Sequence, residues 1–175
     1  MRSYKISATL AALAAAGLIW HAAFARPAKV AAADSAQLQG LLAPARIATD
    51  SNYIPHIFAD NDHDAMLLLG WVHARDRFFQ MDLLRRQASG TTAELLGKGA
   101  LDSDIQARTL GLRRAAEASV TTYSDEVMAL LQAYADGVNA WLKDPATKLP
   151  AEYAALELTK TSVPAWTTGG QHCGR

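Results

Sequence analysis

Gly70-Trp71-Val72-His73-Ala74-Arg75-Asp76-Arg77-Phe78-Phe79-Gln80-Met81-Asp82-Leu83-Leu84-Arg85-Arg86 decides the fold, running on into Ser89-Gly90-Thr91-Thr92-Ala93-Glu94-Leu95-Leu96-Gly97. Neither Pro nor Gly interrupts residues 71 to 88, so the stretch predicts one long helix. Apolar residues recur near the helical period at Leu68, Val72, Phe79 and Leu83, with Trp71, Phe78, Met81 and Leu84 beside that stripe. A helix apolar over so much of its circumference needs partners on more than one side. Arg75, Asp76, Arg77, Asp82, Arg85 and Arg86 share the segment. Charges of both signs in such a helix must be solvated, paired or capped by backbone groups.

Upstream, residues 45–50 and 54–59 predict two short strands, with turn chemistry at Ser51-Asn52-Tyr53. Pro55 confines the second strand to an edge or a strand start. Asp60-Asn61-Asp62 offers N-caps for the long helix and places acidic groups at its positive end. Downstream, residues 98–104 read as a loop. Residues 104–119 read as a helix carrying Ile105, Leu112 and Ala116 on one side. Ser124 caps a helix over 125–143, whose apolar spacing runs through Val127, Leu130, Leu131, Tyr134, Val138, Trp141 and Leu142. Gly137 inside it costs about 1 kcal/mol against Ala, which points to close packing there.

The 175 residues can bury one modest core. Seventeen Lys plus Arg balance 17 Asp plus Glu, so no charge excess argues for nucleic acid or an anionic surface. The single cysteine, Cys173, cannot form an internal disulfide. Residues 1–25 read as an export signal: Arg2 and Lys5, the apolar run Ile6 to Ala22, then Ala23-Phe24-Ala25, with Ala31-Ala32-Ala33 as a second cleavage pattern. The rival reading of that run is a membrane anchor, left in place if the signal is not cleaved. Periplasmic or secreted localisation is expected. Residues 26–43, Ala-rich with Pro27 and Gly40, read as a linker.

The long stretch resembles the N-terminal part of the penicillin acylase family of N-terminal-nucleophile amidohydrolases. Ala74, Asp76, Arg77, Phe79, Gln80, Met81, Arg85, Arg86, Gly90, Ala93, Glu94 and Gly97 match its pattern, while Arg75 replaces a common Gln and Trp71 a common Tyr. A match of that length and order is far more specific than a lone short motif. The hairpin extends it through Asp50, Pro55, His56 and Ile57, with Tyr53 where the family usually has Gly. If that position takes a positive φ, Tyr is costly there. Tyr134 to Trp141, which includes Asn139, then Leu149-Pro150, Glu152-Tyr153, Leu156 and Trp166-Thr167 carry the likeness across 45–167.

The resemblance implies an α+β fold: a mainly helical piece with an N-terminal β-hairpin, part of a four-layer αββα enzyme. Residues 44–167 would be part of the α-subunit, and the absent β-subunit its partner. It implies hydrolysis of an amide between an acyl group and a small amine, with a β-lactam antibiotic or an N-acyl-homoserine lactone as substrate. The N-terminal Ser of the second chain would attack, its own α-amino group acting as base, with backbone and Asn donors holding the oxyanion. On this reading these residues hold no catalytic group and no cofactor, and their substrate contacts are unknown. Calcium is expected in the complete enzyme.

Pro55, His56, Asp76, Arg77, Gln80, Arg85, Arg86, Glu94, Asn139 and Trp166 are structural motif residues on this reading. Asp76, Arg77, Arg85, Arg86 and Glu94 are expected to form an internal ion-pair network; the alternative is a solvated face. Ser51-Asn52 resembles the start of the family's second chain, but its place in the hairpin makes it turn chemistry. His63 and His73 are too far apart for a helical metal pair, and no cysteine lies near the matched positions. No nucleophile-elbow pattern appears, so the histidines read as structural. The tail from Thr168 to Arg175 departs from the family's Trp-Thr-Pro-x-Asp. One permitted set of codons for these residues, read one base later, restores it, which reads as a frame shift; the plainer reading is a flexible terminus. Against the truncated acylase stands a second function: a standalone exported helical binding protein without catalysis.

Overall fold

The computed structural model describes residues 38–168. The export signal, the cleavage patterns, the first part of the linker and the tail beyond residue 168 lie outside the described residues.

Strands β1 (Arg46–Thr49) and β2 (Pro55–Phe58) pair antiparallel, with Arg46 opposite Phe58 and Thr49 opposite Pro55. The turn is organised by Asp50, whose carboxylate accepts from the backbone N–H groups of Asn52 (2.8 Å) and Ile54 (2.9 Å). Tyr53 takes φ 63°, so the position does require the left-handed region, and Tyr fills it with its side chain almost wholly exposed. Ser51-Asn52 lies in this turn, as the sequence indicates.

Helix α1 (Asp62–Ser89) follows, capped by the Asn61 side chain, which accepts from the backbone N–H of Asp64. It is kinked rather than straight: Arg77 has φ −143° and ψ 25°. No Pro or Gly lies at that point, and nothing in the local sequence accounts for the kink. Across it the inward stripe is Ala74, Phe78, Asp82 and Arg86, one residue in four. Leu68 and Val72 are buried as expected, but Phe79 and Leu83 are only half-buried and Leu84 is exposed. Helix α1 ends at Gly90 in the left-handed conformation, its N–H returning to the carbonyls of Arg86 and Gln87.

After α2 (Ala93–Leu96) and a 3₁₀ turn at Lys98–Ala100, the expected loop and single helix are replaced by two helices, α3 (Leu101–Leu110) and α4 (Leu112–Val120). Gly111 at φ 71° divides them, because its left-handed backbone ends one helix and starts the next. The expected inward side is also reversed: Ile105, Leu112 and Ala116 are all exposed.

Helix α5 (Asp125–Lys143), capped by Ser124, packs along α1 as the main helix pair. Ala133, Ala135, Gly137, Val138 and Trp141 form its buried face. The contact depends on two glycines. A Cβ at Gly137 would strike the Leu67 carbonyl, and one at Gly70 the Tyr134 carbonyl. Helix α6 (Ala151–Ala155) closes the core with Tyr153. Phe78 sits 5.1 Å from Trp141 and 6.0 Å from Tyr153, centroid to centroid, with Ala74, Leu95 and Val138 completing the core. Among the described residues no helix is long and apolar enough to cross a membrane.

Candidate functional site

The chemically dense part of the molecule is the middle of α1. Asp82 is fully buried. One carboxylate oxygen accepts from Arg85 Nη2 at 2.6 Å; the other accepts from Arg86 Nε at 3.1 Å and from the Tyr153 hydroxyl at 2.8 Å. Arg86 also donates to Glu94 at 3.1 Å, tying α1 to α2. The Arg85 guanidinium lies 4.3 Å from the Trp166 ring centroid. Asn139 then holds the Trp166 backbone from both sides. Its Nδ2 donates to the Trp166 carbonyl, and its Oδ1 accepts from the Trp166 N–H, each at 2.8 Å. Asp82, Arg85, Arg86, Glu94, Tyr153, Asn139 and Trp166 thus fix α1, α2, α5, α6 and the outgoing chain to one another.

Burial pushes the Asp82 carboxyl up, but the bonds and charge of Arg85, the Tyr153 hydroxyl and the charge of Arg86 outweigh it and hold it below the usual range. Tyr153 moves the other way, raised by burial and by the adjacent Asp82 charge. Burial and the neighbouring Arg86 charge work to lower the Arg85 guanidinium, and Asp82 opposes them. A carboxylate saturated in this way is out of reach as a general base. Two further buried acids do similar fastening. Asp64 accepts from the N–H groups of Leu42 and Ala43 at 2.9 Å each, and so pins the end of the expected linker to α1. Burial raises its pKa, yet the bonds from Leu42, His63, Asn61 and Ala43 bring it down to about 2. Asp104 accepts from Thr92 N (2.8 Å) and Ala93 N (2.7 Å) at the start of α2, and is likewise held low against burial by these bonds.

The network differs from the expected one in two members. Among the described residues, Asp76 is bound by its neighbour Arg75, at 2.6 and 3.0 Å, on the surface. Arg77 is exposed at the kink. Neither belongs to the ion-pair network, because both lie off the buried stripe of Ala74, Phe78, Asp82 and Arg86 and are exposed. Arg85, Arg86 and Glu94 do belong. Asp82 takes the place assigned to Asp76, a role the i, i+3 and i, i+4 spacing to Arg85 and Arg86 could have revealed. The Tyr153 contribution had no local signal. Gln80 is exposed, Pro55 begins β2, and His56 Nε2 lies 3.2 Å from Asp50 in the hairpin. His73 Nδ1 meets the Tyr134 hydroxyl at 2.9 Å. Among the described residues no group of three or more His, Cys, Asp or Glu side chains converges to hold a metal ion.

The hairpin and the kinked helix, with its buried ion-pair network, form one fastened helical layer beside a two-stranded sheet. The structure is similar to the thermostable penicillin G acylase from Alcaligenes faecalis, with a TM-score of 0.64 and 30% identity, covering 73% of this chain and 67% of that one. The penicillin amidase family model matches residues 44–169, and the chain belongs to that family. It is 44% identical over 122 residues to the penicillin acylase 2 proenzyme of Pseudomonas sp. (strain SE83), covering 70% of this chain and 16% of the relative. It is 40% identical over 117 residues to the acyl-homoserine lactone acylase QuiP of Pseudomonas aeruginosa, covering 67% of this chain and 14% of the relative. The chain therefore spans about one sixth to one seventh of the curated relatives it matches.

Proposed function

We propose that this chain is the N-terminal α-chain portion of an exported two-chain acylase, which hydrolyses the amide between an acyl group and a small amine. The carrying observation is that the family match over residues 44–169 contains the buried network joining α1 to α2, α5, α6 and Trp166. The role of these residues is to build and orient a rigid layer. The bond-breaking Ser, activated by its own α-amino group, is contributed by the second chain. β-Lactam antibiotics and N-acyl-homoserine lactones are both proposed substrate classes, since relatives named for each match at comparable identity. Export rests on the leader-like residues 1–25 and places the enzyme in the periplasm or outside the cell.

The test is a chimera. Residues 44–167 replace the aligned segment of the Pseudomonas sp. (strain SE83) proenzyme. Cleavage into two chains is followed by mass, and hydrolysis is measured on an aromatic acyl-penicillin and on an N-acyl-homoserine lactone. Maturation with hydrolysis of either substrate is expected, and the 175-residue chain alone should give no turnover. A soluble chimera that neither matures nor hydrolyses would overturn the proposal, as would amide hydrolysis by the chain alone.

A further inference from the structure

One residue of the segment that follows α6 is held from two helices at once. Residues 164–167 lie in neither helix nor strand, yet both polar backbone groups of Trp166 are met by a single side chain, that of Asn139 on α5. An amide side chain here reads a backbone residue as one strand reads another, by exchanging both bonds with it. In addition, α1 presents the Arg85 guanidinium to the Trp166 ring, and Arg85 is itself tied to the buried Asp82 at 2.6 Å. Two backbone bonds fix the place and direction of one peptide unit, and the ring contact fixes its roll. Asn is among the poorer helix formers, because its side chain competes for backbone groups. The apolar core packs through Phe78, Val138, Trp141 and Tyr153, so what the Asn139 amide adds is local to Trp166.

We infer that Asn139 is a positioning residue for the acylase: it sets the place and heading at which the polypeptide leaves this layer after Trp166, and cleavage into two chains depends on it through that placement. This rests on the function proposed above and adds the residue that transmits the geometry. The family model matches residues 44–169, so the clamp lies within the matched part, and the chain covers 14–16% of the curated relatives. In an enzyme of that length the continuation starts from the peptide unit that Asn139 holds. Consecutive Cα atoms are about 3.8 Å apart, so an error of heading at Trp166 grows with every residue beyond it. Arg85 supports the same placement through the ring, and its own bond to Asp82 ties the clamp to the buried network.

The experiment compares Asn139→Leu and Asn139→Asp with the parent, in the full 175-residue chain and in the chimera with the Pseudomonas sp. (strain SE83) proenzyme. In the full chain, amide hydrogen exchange is followed by mass. Asn139→Leu should lower protection at Trp166 by ~10-fold or more, two hydrogen bonds being lost, while the amides of α1 and α5 exchange as in the parent. Asn139→Asp carries its own signature. Its carboxylate accepts from the Trp166 N–H but repels the Trp166 carbonyl, whereas the protonated acid restores both the donor and the acceptor. Its protection, relative to the parent at the same pH, should therefore be low at pH 7 and recover toward about pH 4–5; Asn139→Leu should show no recovery. In the chimera, both variants should give soluble precursor that melts like the parent, with cleavage into two chains slowed ~10-fold or more at pH 7, and Asn139→Asp should regain rate as pH falls. Unchanged protection at Trp166 would overturn the inference, as would cleavage at the parent rate once that protection is lost. A uniform loss of protection through α1 and α5 in both variants would make Asn139 an ordinary stabilising residue and so overturn it too. A parent chimera that does not mature would sink the two-chain reading, and the inference with it.

Discussion

Asp82→Ala is the perturbation with the largest expected consequence. The carboxylate it removes is fully buried and accepts from Arg85, Arg86 and the Tyr153 hydroxyl. Removing it leaves two guanidinium groups, each less than a tenth exposed, without their shared counter-charge. Deleting one partner of a buried pair costs about 3–5 kcal/mol, because the remaining charge stays desolvated. Arg86 keeps its bond to the half-exposed Glu94, and Arg85 keeps its place over Trp166, so the lower half of that range is the better expectation. Against a domain stability of about 5–15 kcal/mol this is a large fraction. Tyr153→Phe removes only one hydrogen bond to a charged group and should cost about 1.5–3 kcal/mol. Asp76→Ala breaks only a surface pair with Arg75 and should cost under about 1 kcal/mol. Urea unfolding of the full chain, followed by tryptophan fluorescence, orders the three: Trp141 stacks near Phe78 and Trp166 lies against Arg85, so both report on this region. If Asp76→Ala costs as much as Asp82→Ala, or if Asp82→Ala costs under about 1 kcal/mol, then the network is not what fastens α1.

Gly137→Ala should destabilise although it improves helix propensity. The added methyl strikes the Leu67 carbonyl, and the overpacking cost of about 1–3 kcal/mol exceeds the gain of about 1 kcal/mol; a raised melting temperature would show that the two helices separate easily. Tyr53→Gly should stabilise by about 0.5–1 kcal/mol, since it relieves a left-handed backbone carrying an exposed aromatic ring. Unchanged or lower stability in a melting scan would mean that the Tyr53 side chain contributes contacts of its own. Acid sensitivity follows from Asp64, Asp82 and Asp104, all held below the ordinary carboxylate value of 3.8, with Asp64 at about 2. Carboxyls lowered in the folded state stabilise above their unfolded pKa and lose that contribution as pH falls through the folded value. Stability should be level near neutrality, fall from about pH 4 downward and keep falling to about pH 2, with Asp64→Asn flattening the lower part of the curve. A decline that sets in well above the carboxylate range would refute the assignment to these three groups.

Local signals made several elements legible. Asn61 and Ser124 are caps because a short polar side chain ahead of an apolar period can do little else, and both cap as expected. The family's usual Gly at the Tyr53 position raised the question of a left-handed backbone there, and Gly137 pointed to close packing by its cost in a helix interior without saying against which element. The break at Gly111 was also available in the sequence, since a glycine between two helical turns often ends one of them. The kink at Arg77 was not, because no residue there breaks a helix by its own chemistry. Asp82, not Asp76, continues the buried stripe through Ala74 and Phe78 to Arg86.

The sequence by itself determined the two long helices, their caps, the hairpin turn and membership of a family whose motif runs through α1. Each of those depends on neighbours within a few residues, where period and side-chain type act directly. Only the tertiary structure decided which charges are buried together and which apolar faces are left open. Tyr153 lies 71 residues from the carboxylate it binds, and Asn139 lies 27 from the backbone it clamps. Such pairings arise from how helices cross, and a helical period specifies a face without saying what that face will meet.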